Sequence, residues 1–357
     1  MSVYAVILCG GKGERFWPKS RTRLPKQFMV LFGNRSMVRA TSERVKKICP
    51  LERQFFVTGE RFASLLRKEL RVKKRNLLLE PNGKNTAPAI GFAATVISCF
   101  DPNGIMVVFP ADHLIAGRNA FIKAVQLAVR AAKSGYLVTL GIPPSRPDTG
   151  YGYIHFGERL MAGKGGSVHQ VIAFKEKPDE ETARIYVSRE KFLWNSGMFV
   201  WRVDVILEAF RQFMPVFYQE LTRFKKGWTG GEKEKAVQRL YRAAPAISID
   251  YAIMEKADNV VVVKGEFDWD DVGSWQALER HFCRDENNNV TVGLWFHRDS
   301  KNCIVYTDEG VVAGLGISDL VIVRAGDAVL VARRGALGGL KQLLGQIGQD
   351  REGKKFL

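Results

Sequence analysis

The stretch VYAVILCGGKGERFWPKSRTRLPKQF, residues 3–28, decides the fold because a run of apolar residues leads directly into a glycine turn. An unbroken apolar run of this kind is typical of a buried strand in a parallel sheet. Gly10, Gly11 and Gly13 have no side chains, so backbone N–H groups approach an anion closely and positive φ angles cost little. The stretch predicts a strand followed by a phosphate-binding turn. The alternative is a strand-to-helix turn with incidental glycines.

Spacing excludes two better-known phosphate motifs at this turn. GxGxxG counted from Gly11 needs glycine where Phe16 stands, and GxxxxGK[ST] is absent. The unusual feature is a pair of cations, Arg15 and Lys26, in a loop that two prolines restrict. Such a loop can hold both cations over a triphosphate.

The first half of the chain alternates strand-like and helix-like patterns, which predicts an α/β fold with a Rossmann-like, doubly wound mixed sheet. Strands are predicted at 3–9, 54–58, 76–80, 105–109 and 136–142, and helices at 37–48, 61–70, 88–100 and 120–135. Further strands at 150–156, 168–178 and 196–201, with a helical run at 203–224, predict a substrate-side insertion on the same sheet.

A domain boundary is predicted at the loop DENNN, residues 285–289, after a helix from about Ser274 to Arg284. Beyond it, short β-branched strands are predicted at 290–296, 303–310, 311–317 and 320–332, and a weak helix at 336–347. We therefore expect a catalytic domain at residues 1–283 and a small all-β domain at residues 284–357.

Composition narrows the class of protein. The 357 residues are 46% hydrophobic and 25% charged, which excludes a disordered chain. The net charge is +17, and residues 1–50 hold 11 Lys/Arg against 2 Asp/Glu, so the partner is expected to be anionic: nucleic acid, an acidic membrane surface or a phosphorylated ligand. Five scattered cysteines argue against a disulfide framework or a zinc site. With no membrane-length apolar stretch and no secretory signal, a cytoplasmic protein is expected.

Ordered motifs give the chain a family resemblance. GGKGERFWP (10–18) followed by LPKQF (24–28) resembles the signature of sugar-phosphate nucleotidyltransferases. EPNGKNTAPAI (80–90) resembles the guanine-binding stretch of the mannose-1-phosphate guanylyltransferases, although Lys84 stands where that family usually has Arg. The motifs FPADHLI (109–115), FKEKP (174–178), WNSGMF (194–199), SIDYAIMEK (248–256) and WDDVGSW (269–275) follow in that family's order. The resemblance covers residues 2–283.

For the nucleotide, the resemblance implies contacts from Leu8, Gly10, Gly11, Gly13, Asn85, Pro88 and Asp112, with Arg15 and Lys26 as catalytic cations. Read physically, Asn85 or Thr86 caps a helix, and a plain cap is the alternative to a base contact. A fork-shaped contact to guanine at position 84 is in doubt, since Lys and Arg differ in geometry.

Two carboxylates are predicted to hold Mg²⁺. Asp112 ends an apolar strand at the carboxyl edge of the sheet, where α/β proteins bind ligands, although a helix cap is the alternative. The residues alone leave Asp270 and Asp271 open as the second ligand, and the family pattern selects Asp271. His113 is expected to be structural.

For the sugar phosphate, the resemblance implies hexose contacts from Glu176 and Asn195, a backbone approach at Gly152 and a phosphate contact from Lys177. A surface ion pair is the alternative for the Glu–Lys pair. Trp194 and Trp201 are predicted to flank the sugar as apolar surfaces. In SIDYAIMEK, Ser248 or Asp250 is predicted to cap a helix that orders the site.

The implied reaction is attack of mannose 1-phosphate on the α-phosphorus of GTP, which gives GDP-mannose and pyrophosphate. The resemblance also implies a left-handed β-helix-like region at the end of the chain, a homodimer, and no fused isomerase domain. The rival readings are a nucleotidyltransferase for another sugar or base, a catalytically silent binding protein, and a nucleic-acid binder. Nucleic acid is disfavoured because the cations cluster around a glycine turn rather than in a known recognition motif.

Overall fold

The computed structural model describes residues 1–11 and 13–357. Its contacts divide the chain into two compact units. The first unit is Met1–Gly10 with Arg39–Trp269, and the second unit is Gly11–Val38 with Asp270–Leu357. These units are defined by packing, whereas the predicted boundary between residues 283 and 284 follows chain order and stays a prediction.

The first unit contains a nine-stranded mixed sheet. The strands as far as the end of this unit are β1 Val3–Leu8, β2 Gln54–Gly59, β3 Leu77–Glu80, β4 Ile105–Pro110, β5 Leu114–Ile115, β6 Leu137–Ile142, β7 Gly152–Gly163, β8 Gly166–Glu176, β9 Phe192–Arg202, β10 Val260–Lys264 and β11 Trp269–Asp270. Nine of them form the sheet, in the order β3-β2-β1-β4-β9-β6-β10-β8-β7. β1 pairs in parallel with β2 and β4, and Ala5 lies opposite Gln54 and Val107. β9 runs antiparallel to both β4 and β6. The predicted strands of the first half are confirmed.

Helices cover both faces of this sheet, so the doubly wound prediction is confirmed. The helices of this part are α1 Met37–Val45, α2 Ala63–Leu70, α3 Thr86–Ser98, α4 Arg118–Lys133, α5 Glu180–Ser188, α6 Val203–Phe213, α7 Pro215–Thr229 and α8 Lys233–Ala243. One apolar core contains side chains of α3, α6, α7 and α8, and the other contains those of α4. Burial of alternate strand residues on both faces explains why the strands are apolar throughout.

The helical run predicted at 203–224 is wrong as a single element. The chain leaves the helical conformation at Met214, and α7 begins at Pro215. Proline has no N–H to continue the first helix but suits the first turn of the next one. The helix predicted from Ser274 to Arg284 is likewise a six-residue 3₁₀ helix, Trp275–Arg280.

The second unit contains a four-stranded sheet of β12 Val290–Arg298, β13 Ile304–Leu315, β14 Leu320–Ala325 and β15 Ala328–Arg333, followed by α9 Leu340–Gln349. β12, β13 and β14 are parallel neighbours, and β15 returns antiparallel to β14. The segments predicted as separate strands at 303–310 and 311–317 form one strand, whose Gly310 has a φ of 62°. The predicted all-β fold at the end of the chain is confirmed.

Hydrogen bonds and an ion pair within the second unit hold the loop that follows the glycine turn. Trp17 donates its Nε1–H to the backbone oxygen of Phe356 over 2.8 Å and accepts, through its own carbonyl, a 3.0 Å hydrogen bond from Trp275 Nε1. Lys19 Nζ lies 3.0 Å from Asp308 Oδ2. Residues from opposite ends of the sequence therefore hold this loop in shape.

Across the described residues, no helix has both the length and the apolar character needed to cross a lipid bilayer.

Candidate functional site

The glycine turn supports Lys26 through close backbone packing in the second unit. Gly13 has a φ of 67°, and a Cβ built there would lie 2.7 Å from both the Cβ and the backbone nitrogen of Lys26. Lys26 is 7% exposed, and its Nζ donates to the backbone oxygen of Asp271 over 2.6 Å. Glycine at position 13 therefore serves the packing of the lysine as well as the turn.

Arg15, the other predicted catalytic cation, lies in the 3₁₀ helix Glu14–Phe16 and is exposed. Phe16 behind it is fully buried and packs edge-on against Trp275, with ring centroids 5.1 Å apart. The backbone at Arg15 is thus fixed while its guanidinium is accessible to an anion.

The structure separates the roles of the adjacent carboxylates Asp270 and Asp271. Asp270 is 4% exposed, and it accepts hydrogen bonds from Arg280 Nη2 at 2.8 Å and His281 Nε2 at 2.9 Å. Burial opposes its ionisation, but these hydrogen bonds outweigh burial and hold the pKa of Asp270 well below its usual range. Asp271 is more exposed. Asp270 is therefore a structural anion, and Asp271 is the better candidate for a metal ligand.

Asp112, in the first unit, comes two residues after β4 and is partly exposed. Its neighbour Ala111 is buried and donates its N–H to the backbone oxygen of Leu8 over 3.1 Å, which fixes the carboxyl edge of β1 and β4. His113 Nδ1 accepts a 3.1 Å hydrogen bond from Trp269 Nε1, so the expected structural role of this histidine is confirmed.

The predicted base-contact stretch forms the N-terminus of α3. Asn85 is exposed, with φ 70° and ψ −172°, a conformation that a side chain rarely adopts, and its Oδ1 accepts a 2.8 Å hydrogen bond from the N–H of Thr86. The predicted cap is confirmed. Pro88 is buried as the third residue of α3. Local strain at an exposed residue is common at ligand-binding positions, which supports Asn85 as a contact.

Three of the predicted sugar contacts lie together in the first unit. A Cβ built on Gly152 would collide with Glu176 Oε2 and lie 3.4 Å from Asn195 Cβ. Asn195 Nδ2 in turn donates to Asp250 Oδ1 over 2.9 Å. Burial raises the pKa of Glu176, and the nearby charge of Lys177 lowers it in part. The arrangement offers carboxylate and amide groups to a hydroxylated ligand, next to backbone without a side chain.

Lys177 follows β8 with a φ of 48°, and its Nζ lies 3.5 Å from Glu176 Oε1. Its side chain is 61% exposed. The surface ion pair considered for these residues is therefore present, but exposed pairs of this kind contribute little to stability. The lysine can exchange this partner for a phosphate at low cost.

The tryptophans predicted to flank the sugar are both inaccessible. Trp201 is fully buried in the helix-packed core and Trp194 is 2% exposed, because strand β9 lies at the centre of the sheet with both faces covered. That prediction is wrong. Trp194 instead packs under Arg146, whose guanidinium carbon lies 4.9 Å from its ring, while Arg146 Nη2 donates to Asp148 Oδ2 at 2.8 Å and Tyr151 Oη at 3.1 Å.

Two contacts were not predicted from the sequence: the packing of Arg146 on Trp194 and the hydrogen bond from Asn195 to Asp250. SIDYAIMEK forms a short π-helix, Asp250–Met254, in which Ser248 Oγ accepts from the Tyr251 N–H at 3.4 Å, as a cap would. Asp250 does not cap the helix with its side chain, because that carboxylate accepts from Asn195. Four acidic residues in the first unit have raised pKa values, Glu80, Glu176, Asp250 and Glu255, but these shifts arise from contacts of the folded chain and give no signal in the sequence.

Glu80, the first residue of the base-contact stretch, gives a test of burial. Its side chain is 5% exposed, Oε1 has no hydrogen-bond partner in the described part of the chain, and burial raises its pKa to about 7, with Tyr241 lowering it in part. The ordinary value is 4.5, so from that pH to about 7 the folded state retains a proton that the unfolded state loses. Stability therefore falls as pH rises through this window.

We expect Glu80→Gln to remove this loss in the free energy of unfolding, which is on the order of 3 kcal/mol. The variant should therefore become more stable relative to the wild type as the pH rises from about 5 to about 8. Urea unfolding at both pH values measures the difference. Glu234→Gln, an exposed carboxylate in α8, is the control and should track the wild type. Parallel pH profiles for wild type and Glu80→Gln would contradict the assignment.

The predicted residues divide between the units. Gly11, Gly13, Arg15, Lys26 and Asp271 belong to the second unit, and Leu8, Gly10, Asn85, Pro88, Asp112, Gly152, Glu176, Lys177 and Asn195 belong to the first. Within the described chain, no group of three or more His, Cys, Asp or Glu residues forms a ready-made metal site. Mg²⁺ commonly takes only one or two protein carboxylates together with substrate phosphates, so such a group is not required.

Comparison with known proteins supplies the family. Residues 4–288 match the family model described as nucleotidyl transferase, and residues 293–346 match the MannoseP isomerase/GMP-like beta-helix domain. Mannose-1-phosphate guanylyltransferase of Salmonella montevideo is 36% identical over 352 residues, which are 96% of this chain and 73% of that protein. The enzyme of the same name from Escherichia coli K12 is 37% identical over 98% of this chain and 74% of its own length.

A solved structure agrees with these sequence matches. The crystal structure described as mannose-1-phosphate geranyltransferase from Thermus thermophilus superimposes with a TM-score of 0.88 at 36% identity, over 97% of this chain and 99% of that one. The likeness therefore extends through both the sheet with its helices and the terminal all-β part. The chain belongs to the nucleotidyl transferase family, among the mannose-1-phosphate guanylyltransferases.

Proposed function

We propose that this protein transfers GMP from GTP to α-D-mannose 1-phosphate, with GDP-mannose and pyrophosphate as products. The observation that carries the proposal is the 36–37% identity to mannose-1-phosphate guanylyltransferases over nearly the whole chain. The cluster of Gly152, Glu176 and Asn195 supports it, since these groups suit sugar hydroxyls.

In this reaction a phosphate oxygen of the sugar forms a bond to the α-phosphorus of GTP, and the bond from that phosphorus to the bridging oxygen of pyrophosphate breaks. The attacking phosphate is already ionised at neutral pH, so no general base is required. The main obstacle is repulsion between two polyanions, and catalysis consists of positioning and charge neutralisation. We assign Arg15 and Lys26 to the triphosphate and Lys177 to the sugar phosphate.

Nucleotidyl transferases generally use a divalent metal ion. We propose Mg²⁺, held by Asp112 and Asp271. Both are partly exposed carboxylates, the donor type that Mg²⁺ prefers, whereas the neighbouring Asp270 is already paired with Arg280. When bound, the ion supplies positive charge to phosphate oxygens as negative charge builds up.

The test is pyrophosphate release by the purified protein with Mg²⁺ and mannose 1-phosphate, comparing GTP, ATP, UTP, CTP and dTTP, with chromatography of the product. GDP-mannose formed fastest from GTP supports the proposal. Faster turnover with another base, or with only another hexose 1-phosphate, would move the specificity to one of the rival nucleotidyltransferases. No turnover with any pair would favour a silent binding protein, and binding to DNA or RNA that weakens steeply with salt would favour a nucleic-acid binder.

We also propose a homodimer. In the second unit, the large apolar side chains of Leu294 and Phe296 on β12 and of Val311 and Leu315 on β13 are 49–73% exposed. Leu294 lies opposite Val311 in the parallel pair, so these side chains form one apolar surface, which is typical of an interface. All five cysteines are free, which suits the proposed cytoplasmic location.

If this surface joins two copies, light scattering should give twice the mass of one chain, and Phe296→Glu should shift the protein toward the single-chain mass, since a charge at an apolar interface is costly. Phe100→Glu, at an exposed position of the first unit, is the matched control and should leave the mass unchanged. A wild type that is monomeric at high concentration would contradict the proposal.

A further inference from the structure

The amide of Asn195 has a fixed orientation in the first unit. Its Oδ1 lies 3.1 Å from Thr139 Oγ1 and 3.3 Å from the backbone N–H of Gly197, and its Nδ2 lies 2.9 Å from Asp250 Oδ1. A backbone N–H only donates and an ionised carboxylate only accepts, so the oxygen must face Gly197 and the nitrogen must face Asp250. The second N–H of this amide has no partner among residues 1–11 and 13–357, and is available to a ligand.

Asp250 is itself held in place by the base-contact helix. The backbone N–H of Ile249, the preceding residue, donates to Thr86 Oγ1 over 2.8 Å. The N–H of Ala87 donates to the backbone oxygen of Ile247 over 3.2 Å. Both contacts lie in the first turn of α3. The π-helix that begins at Asp250 is a rare conformation that occurs often at functional sites.

Asp250 and Glu176 both lie beside Asn195, since Asn195 Nδ2 is 2.9 Å from Asp250 Oδ1 and a Cβ built on Gly152 would meet both Glu176 Oε2 and Asn195 Cβ. Burial and, after it, the charge of Glu176 raise the pKa of Asp250 to about 6, although the hydrogen bond from Asn195 lowers it in part. Burial and the charge of Glu176 also raise the pKa of Glu255, which Lys175 lowers in part, and Lys177 lowers the pKa of Glu176. The carboxylate that fixes the amide and the one that faces the sugar are therefore close neighbours.

We propose that Asp250 is a positioning residue for the sugar subsite. Its carboxylate orients the Asn195 amide so that the remaining N–H and the Glu176 carboxylate both form hydrogen bonds with the same sugar hydroxyl. That hydroxyl accepts from Asn195 and donates to Glu176. The inference rests on the proposed function, since it assumes a hexose phosphate beside Gly152. It assigns Asn195 as a hydrogen-bond donor to the sugar.

The test compares Asp250→Ala, Asp250→Asn and Glu255→Gln in steady-state kinetics. Asp250→Ala should raise the KM for mannose 1-phosphate about tenfold to a hundredfold and change the KM for GTP less than twofold, because a hydrogen bond to a charged group is lost at the sugar side alone. Asp250→Asn keeps an acceptor oxygen and should recover most of the affinity. Glu255→Gln removes a charge near Glu176 without touching Asn195, and should leave both KM values unchanged.

An unchanged KM for the sugar phosphate in Asp250→Ala, or an equal rise in Glu255→Gln, would overturn the inference. If Asp250→Ala does not fold, Thr139→Val replaces it, since it removes the hydroxyl on the other side of the same amide and should raise the same KM. If the wild type uses another hexose 1-phosphate, the proposed function fails, and the same comparison with that sugar still decides the role of Asp250. A wild type that binds no sugar phosphate in calorimetry overturns both.

Discussion

Lys26→Ala should lower kcat by about 10²–10⁴-fold, because the ammonium group is assigned to charge that develops on the triphosphate in the transition state. The side chain is nearly buried, with its Nζ on the backbone oxygen of Asp271, so it is held in position before substrate arrives. Such pre-orientation is what makes a cation effective in catalysis. Single-turnover measurement of pyrophosphate formation separates this effect from nucleotide binding.

Lys19→Ala is the matched control. Lys19 belongs to the same loop, but its Nζ lies 3.0 Å from Asp308 and 5.4 Å from the ring centroid of Tyr306. Its loss removes the same unit of charge from the loop without touching the proposed triphosphate contact. Turnover within a few-fold of wild type is expected, because the hydrogen bonds of Trp17 with Phe356 and Trp275 still hold the loop. Equal losses in the two variants would mean that overall charge matters, and near-wild-type turnover in Lys26→Ala would remove this lysine from the catalytic set.

Gly13→Ala should reduce both stability and turnover. The added methyl group would lie 2.7 Å from the backbone nitrogen of Lys26, and backbone cannot move aside as a flexible side chain can. The positive φ costs about 1 kcal/mol for alanine, and overpacking adds about 1–3 kcal/mol. A lysine displaced by about 1 Å should cost about a hundredfold in kcat.

Gly33→Ala separates these contributions. Gly33 has a φ of 68°, almost that of Gly13, but a Cβ built there meets nothing within 4 Å. It should therefore show the backbone cost alone, with turnover unchanged. Thermal unfolding and kcat are measured for both variants. If the two variants lose equal stability and neither loses activity, the close packing of Gly13 against Lys26 does not contribute to turnover.

The sheet was predictable from sequence because its strands carry long apolar runs bounded by glycine and polar residues. β1 and β4, which are buried on both faces, are the clearest examples. The pattern failed where a local residue overrode periodicity. Apolar residues continue at helical spacing across Pro215, so the pattern alone did not separate α6 from α7, although the proline was visible.

The candidate site was predictable where chemistry follows directly from a motif, as for Lys26 and Asn195. The hydrogen bond between Asn195 and Asp250 was not predictable, because it joins residues 55 positions apart in the sequence. The prediction that Trp201 flanks the sugar failed for a related reason. Its position on β9, six residues after Asn195, does not show that helices cover this part of the strand. The assignment of ligands to these residues stays a prediction.

The second unit is built from two segments that lie far apart in the sequence, Gly11–Val38 and Asp270–Leu357. This separation affects the order in which the protein folds during synthesis. At about 5–20 residues per second, a ribosome needs roughly ten seconds to a minute to make the intervening Arg39–Trp269. During that time the loop with Trp17 lacks the partners at Trp275 and Phe356 that later hold it. The central sheet can assemble first, whereas the cationic loop must await late translation. A nascent chain is therefore expected to form its central sheet before the loop that carries the proposed catalytic cations is ordered.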